Sequence, residues 1–164
     1  MRSARLIAAL FGGLLLIACS PAAESPPASS QPLAISGESD AMFGGSPAAV
    51  LDVALSRTHR DEVSIDATLT NSTPATFTTS ANELLSVSAD GRALLDVGEQ
   101  EFGGDPVAPH QTRSWHLELT APSNGVIAIT ATNWFVPRPE RGEGAMDWGS
   151  VEVTASLGDL PVVP

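Results

Sequence analysis

Val63, Ile65, Ala67 and Leu69 alternate without a break with Ser64, Asp66, Thr68 and Thr70. A period of two puts all four apolar side chains on one face only if the backbone is extended; a helix would scatter them around its circumference. The run just before it behaves the same way, Leu51, Val53 and Leu55 alternating with Asp52, Ala54 and Ser56. The pair reads as two half-buried strands joined by the polar turn Arg57 to Glu62. Leu85 and Val87 open a third strand, and Ala89-Asp90-Gly91-Arg92 supplies an Asp-Gly turn of the kind that favours a tight hairpin into Leu94 to Val97. Trp115, Leu117 and Leu119 alternate with Ser114, His116, Glu118 and Thr120; Ile127, Ile129 and Ala131 follow the turn Pro122 to Gly125; Val151, Val153 and Ala155 form the last strand.

Seven short strands punctuated by Gly and Pro, with no segment of helical period beyond the first eighteen residues, predict an all-β antiparallel sandwich of the immunoglobulin-like kind. The Cys-Trp-Cys pattern of antibody domains is absent, since Cys19 is the single Cys. A small, partly open barrel is the alternative that the same pattern admits.

The chain divides by composition into four parts. Residues 1–18 read as an export signal, with Arg2 and Arg5 ahead of the apolar stretch Leu6 to Ala18, which is too short for the roughly 20 residues of a bilayer-spanning helix. Residues 19–47 are rich in Pro, Ala, Ser and Gly, with Pro21, Pro26, Pro27 and Pro32 against helix, and read as a linker reaching roughly 30 Å as a coil. Residues 48–157 form the folded domain, and residues 158–164 a frayed tail.

All 19 acids follow Cys19 while two of the eight Arg precede it, so the remaining six Arg leave −13 on the side chains after Cys19. Such a body is repelled by nucleic acid and by anionic headgroups, which excludes a DNA-binding role.

Leu16-Ile17-Ala18-Cys19 resembles a bacterial lipobox. The resemblance implies that the Cys19 thiol is acylated and becomes the new N-terminus, anchoring the protein in a cell-envelope membrane with several acyl chains. Ser20 in the next position implies, by the same resemblance, sorting to the outer membrane. The one thiol of the chain standing at that place, with no Cys left for disulfides, agrees with it. Further on, Ala67-Thr68-Leu69-Thr70-Asn71-Ser72-Thr73-Pro74 ends a strand in an Asn-Ser-Thr turn, and Val107-Ala108-Pro109-His110-Gln111-Thr112-Arg113-Ser114-Trp115 leads a Pro-containing turn into a strand with an aromatic residue. Both resemble the immunoglobulin-like domains of bacterial lipoproteins and, more loosely, the intracellular proteinase inhibitor family; His110 stands where those families carry Gly. The resemblance implies the fold and no active residue.

Catalytic chemistry finds no constellation. Ser never falls in Gly-x-Ser-x-Gly, no Ser, His and Asp stand in a recognisable arrangement, and three Trp with no Tyr leave little material for the sugar-stacking cleft of a glycosidase. A non-catalytic domain is expected. His59, His110 and His116 lack paired-ligand spacing and read as surface histidines; no cofactor and no metal site is expected. Glu99, Glu101 and Asp105 share a Gly-rich loop whose spacing departs from a regular calcium loop, so it reads as a solvated acidic loop.

The candidate partner-binding residues are Trp134, Phe135, Arg138, Arg141 and Trp148, in a Pro- and Gly-rich connection with aromatics at both ends and two Arg between them. Loops at the end of a sandwich commonly carry recognition, and Trp and Arg are favoured where binding energy concentrates. Against that stands the plain alternative that Trp134 or Trp148 folds back to close the core. The function expected is a lipid-anchored envelope protein with a binding or structural domain for an envelope protein partner. The alternatives are a protease-inhibitor-like domain, with the loop in a protease cleft, and a metal or small-ligand carrier.

Overall fold

The computed structural model of the chain describes residues 31–79, 85–94 and 106–163. Two antiparallel sheets pack face to face as a β-sandwich. The first is ordered β1 (Leu33–Glu38), β4 (Ala49–His59), β5 (Glu62–Asn71), β9 (Thr112–Thr120). The second is ordered β11 (Met146–Ser156), β10 (Val126–Pro137), β7 (Leu85–Ala89), β8 (Arg92–Ala93), with β6 (Thr78–Thr79) also paired to β10. A separate small hairpin joins β2 (Met42–Phe43) to β3 (Ser46–Pro47).

The period-two residues are the core. Leu51, Val53, Leu55, Val63, Ile65, Ala67 and Leu69 from the first sheet face Ile127, Ile129, Ala131, Val151 and Val153 from the second, all buried. Trp115 and Leu117 of β9 close one side. Burying each of the Val, Leu and Ile side chains stabilises the fold by about 1.5–3 kcal/mol, and the polar partners at alternate positions stay on the outer faces. The Asp-Gly turn forms as read: Asp90 and Gly91 both take positive φ, 48° and 75°, the mirror-image turn that matches strand twist. Leu94 is the last described residue of the hairpin arm predicted to reach Val97.

The boundaries shift outward at both ends. Leu33–Glu38, inside the stretch read as linker, pairs over six positions with Leu55 to Val50 of β4. It makes an edge strand whose inward side is Leu33, Ile35 and Gly37; at Gly37 a Cβ would lie 2.7 Å from a Val153 methyl, so the sheets close there over hydrogen alone. At the other end the tail is packed, not frayed. Leu157 and Leu160 are buried, and the Arg57 backbone donates to the Pro161 carbonyl at 2.8 Å and accepts from Val163 N–H at 2.9 Å. The Arg57 side chain, also buried, donates to the carbonyls of Arg60, Pro122 and Leu157, tying three turns at one end of the sandwich. The turn between β4 and β5 is correspondingly tighter than the sequence suggests, only Arg60 and Asp61 lying outside the strands.

Strand registers fix which residues share an end. Leu33 pairs with Leu55, Glu62 with Thr120 and Val126 with Ser156, so the chain enters the sandwich at the end of the β4–β5 turn. The β10–β11 connection and the β2–β3 hairpin lie at the opposite end, joined by a bond from Arg138 to the Met42 carbonyl.

Candidate functional site

β10 continues past Ala131 because it carries a bulge: its register against β11 jumps from Ala131 paired with Val151 to Trp134 paired with Gly149. Asn133 inside the bulge takes φ 64°, a left-handed conformation that Asn tolerates better than most residues. The extra residue inverts the phase of the strand, so the inward side chains after Ala131 are Trp134 and Val136, both fully buried. Trp134 stacks on Phe77 with ring centroids 4.5 Å apart and covers Gly149, where any Cβ would meet the indole at 2.1 Å. Its buried indole N–H meets no acceptor among the described residues. Trp134 therefore belongs to the core, and the plain alternative holds for it.

Trp148 lies on the other face of the same ladder and is 49% exposed. Its ring meets half-buried Phe135 edge-on, centroids 4.9 Å apart at 84°, the T-shaped geometry that aromatic quadrupoles favour. Met146, two residues back on the same strand face, is also 49% exposed, and Met42 across the gap is 40% exposed.

Between these lies an open cleft of about 310 Å³, lined by Asp40, Ala41, Met42, Arg138, Arg141, Asp147 and Trp148. Three of its four charged side chains, Arg138, Arg141 and Asp147, bind one another. The Arg138 side chain is only 12% exposed and donates to the Asp147 and Glu140 carboxylates as well as to the Met42 carbonyl. Arg141, 60% exposed, donates to the other Asp147 oxygen at 2.8 Å. The short 3-10 turn Pro139–Arg141 places the two Arg, with Arg138 N–H bonded to the Ala145 carbonyl closing the loop. Asp40 is fixed by its backbone N–H to the Ser150 carbonyl and by its carboxylate to Ser150 N–H, 3.0 and 2.8 Å. The Arg138 hydrogen bond holds the Glu140 carboxyl below the usual carboxylate range, and the same bond raises Arg138 against the opposing effect of desolvation.

No family model, curated protein or solved structure matches the chain.

Of the five residues singled out from sequence, Arg138, Arg141 and Trp148 share the cleft, Phe135 supports it from behind, and Trp134 turns away into the core. Asp40 and Met42 escaped the sequence reading because they stood in the supposed linker, where only the pairing of β1 brings them to this end. Asp147 was legible only as the neighbour of Trp148. The histidines lie apart: His59 at the end of β4, His110 in the turn before β9, and His116 in mid-β9, all exposed. Among the described residues no group of three or more His, Cys, Asp or Glu is placed to hold a metal ion. Cys19, the proposed lipidation site, and the acidic loop of Glu99, Glu101 and Asp105 lie outside the described residues.

The Asn-Ser-Thr turn has a structural use. Asn71 is fully buried, its Nδ2 donating to the carbonyls of Ala75, Val107 and Ala108 and its Oδ1 accepting from Thr73 N–H and Oγ1. It clips the turn after β5 to the segment leading into β9. His110, in the place of Gly, takes φ 57°, the very conformation that Gly would adopt most easily.

Proposed function

We propose that the chain is a lipid-anchored cell-envelope protein, held through acylated Cys19 in the outer membrane, whose sandwich is a non-catalytic, immunoglobulin-like binding domain. The strand order supports the immunoglobulin-like reading: β4-β5-β9 on one sheet and β11-β10-β7-β8 on the other follow the A-B-E and G-F-C-C′ orders of such sandwiches, with β1 added at the edge. One observation carries the binding reading. Leu33, where the tether joins the fold, lies at one end, and the Trp148 cleft at the other.

Only residues 20–32 separate Cys19 from the first strand, a length that spans at most about 45 Å. Because the tether joins the fold at the end opposite the cleft, the attachment leaves the cleft uncovered and open to an envelope partner. The inhibitor alternative has less support. A protease cleft takes an extended, protruding loop, whereas Arg138 is drawn into its own ion pairs and the loop is closed by a 3-10 turn.

Metabolic labelling with radioactive palmitate tests the anchor: the wild-type chain takes up label and sediments with membranes, and Cys19→Ala does neither. A Cys19→Ala chain that still sediments with membranes and carries label rules the anchor out. For the binding surface, crosslinking in intact envelopes yields an adduct with the wild-type chain that Trp148→Ala loses while remaining folded.

A further inference from the structure

We propose that the cleft at the far end of the sandwich binds a neutral, hydroxyl-rich saccharide, with the Trp148 ring as its stacking platform. This rests on the binding reading above and names its ligand. Arg138 and Arg141 on one side of the balance and Asp40 and Asp147 on the other cancel, so the lining carries no formal charge to recruit an ion of either sign. An anion is further opposed by the acidity of the whole chain.

What the cleft offers is a dense mixture of donors and acceptors. Each guanidinium holds five N–H donors in a planar fork, and Arg141 commits one nitrogen to Asp147 among the described residues. Each carboxylate accepts at two oxygens. A sugar hydroxyl donates and accepts at once, so neighbouring hydroxyls on a pyranose ring match such an alternation in a way that an apolar side chain does not. Four charged residues against Met42 and Trp148 as the large apolar ones make the lining polar, which argues against a greasy peptide anchor.

The site is also held in advance. Arg138 is fixed by Asp147, Glu140 and the Met42 carbonyl, Asp40 by Ser150, and Trp148 by Phe135, so little side-chain freedom remains to be lost on binding. The half-exposed indole supplies what a polar cleft otherwise lacks: a negative aromatic face against which the C–H bonds on one side of a pyranose ring pack. The openness of the cleft favours a short stretch of a longer glycan over a small molecule enclosed on all sides.

Tryptophan emission reads this out directly, because Trp115 and Trp134 are buried and Trp148 is the exposed indole of the three. The full chain, purified in a detergent without a sugar headgroup, is titrated with cellotetraose, chitotetraose and maltotetraose and applied to a printed glycan array. The expected result is saturable quenching of the wild-type chain by at least one neutral saccharide, and an affinity, read by titration calorimetry in wild type and variants because Trp148→Ala removes the reporting indole, that falls by about tenfold or more in Trp148→Ala and by less in Arg141→Ala, with unchanged circular dichroism in both. No saturable response to any neutral glycan, or a response that Trp148→Ala keeps, overturns the proposal. So does saturable binding of extended peptides without binding of sugars. An envelope adduct that depends on Trp148 while every glycan fails leaves the binding domain standing and removes the saccharide alone.

Discussion

Asn71 shows how one side chain does the work of a short strand. Its carboxamide satisfies carbonyls on two segments that no ladder reaches and accepts two hydrogen bonds from Thr73, all without contact with solvent. Truncation removes the acceptor of the buried Thr73 N–H and breaks the clip to Ala75, Val107 and Ala108, whose carbonyls keep only their bonds from Thr73 Oγ1, Phe77 N–H and Gln111 N–H. Asn71→Ala is therefore expected to lower unfolding stability by about 3 kcal/mol, read as a lower urea midpoint at unchanged slope. His116 works on the surface instead. Its Nδ1 lies 2.7 Å from Asp66, with Glu118 at 3.9 Å from Nε2, and the Asp66 hydrogen bond raises its pKa, helped by the charges of Asp66 and Glu118 against a small desolvation effect. A group raised on folding contributes stability that is fully present below its unfolded pKa and lost as pH rises through the folded one. NMR titration should find the His116 ring above the ordinary histidine range, returning towards it in Asp66→Asn, with wild type losing its stability advantage over that variant between pH 6.5 and the alkaline side of the transition.

The elements that were legible from sequence are those in which burial alternates: β4 as far as Leu55, β5, β7, β9, β11 and the first half of β10. The second half of β10 was hidden by its bulge, since Ile127, Ile129 and Ala131 set one phase and Trp134 and Val136 the other, and a period-two reading stops at the change. β1 was hidden for a different reason. As an edge strand with only Leu33 and Ile35 to bury, in a Pro- and Ser-rich neighbourhood, it has almost no pattern of its own and folds because β4 offers a free edge. Half of the candidate cleft went unseen with it. Bulge and glycine form one device: Gly149→Ala drives a methyl into the Trp134 indole and should cost about 3 kcal/mol or more, measured by thermal unfolding. The C-terminal segment is a second. Deleting residues 158–164 exposes the Leu160 site and strips Arg57 of its backbone partners, and a loss of about 3 kcal/mol in chemical denaturation is expected.

At the scale of the whole molecule the sandwich has two unlike ends. One carries Leu33, where the first described strand begins, the Arg57 knot and tight turns; the other carries the β2–β3 hairpin, the Pro139–Arg141 turn and the cleft with half-exposed Trp148. The rim of the second end is fixed by the Arg138 and Arg141 ion pairs, the Asp40–Ser150 bonds and the edge-on pair of Phe135 and Trp148, over a core that Trp134 and Val136 close beneath it. In the function proposed above, this end, and not the one at which β1 begins, meets the partner. Site-specific photocrosslinking in intact envelopes tests it, with a benzophenone amino acid at position 146, two residues from Trp148 on the same exposed strand face, in one chain and at position 61, in the β4–β5 turn, in another. A discrete adduct from position 146 and none from position 61 is the predicted result; equal adducts from both, or an adduct from position 61 alone, would contradict it.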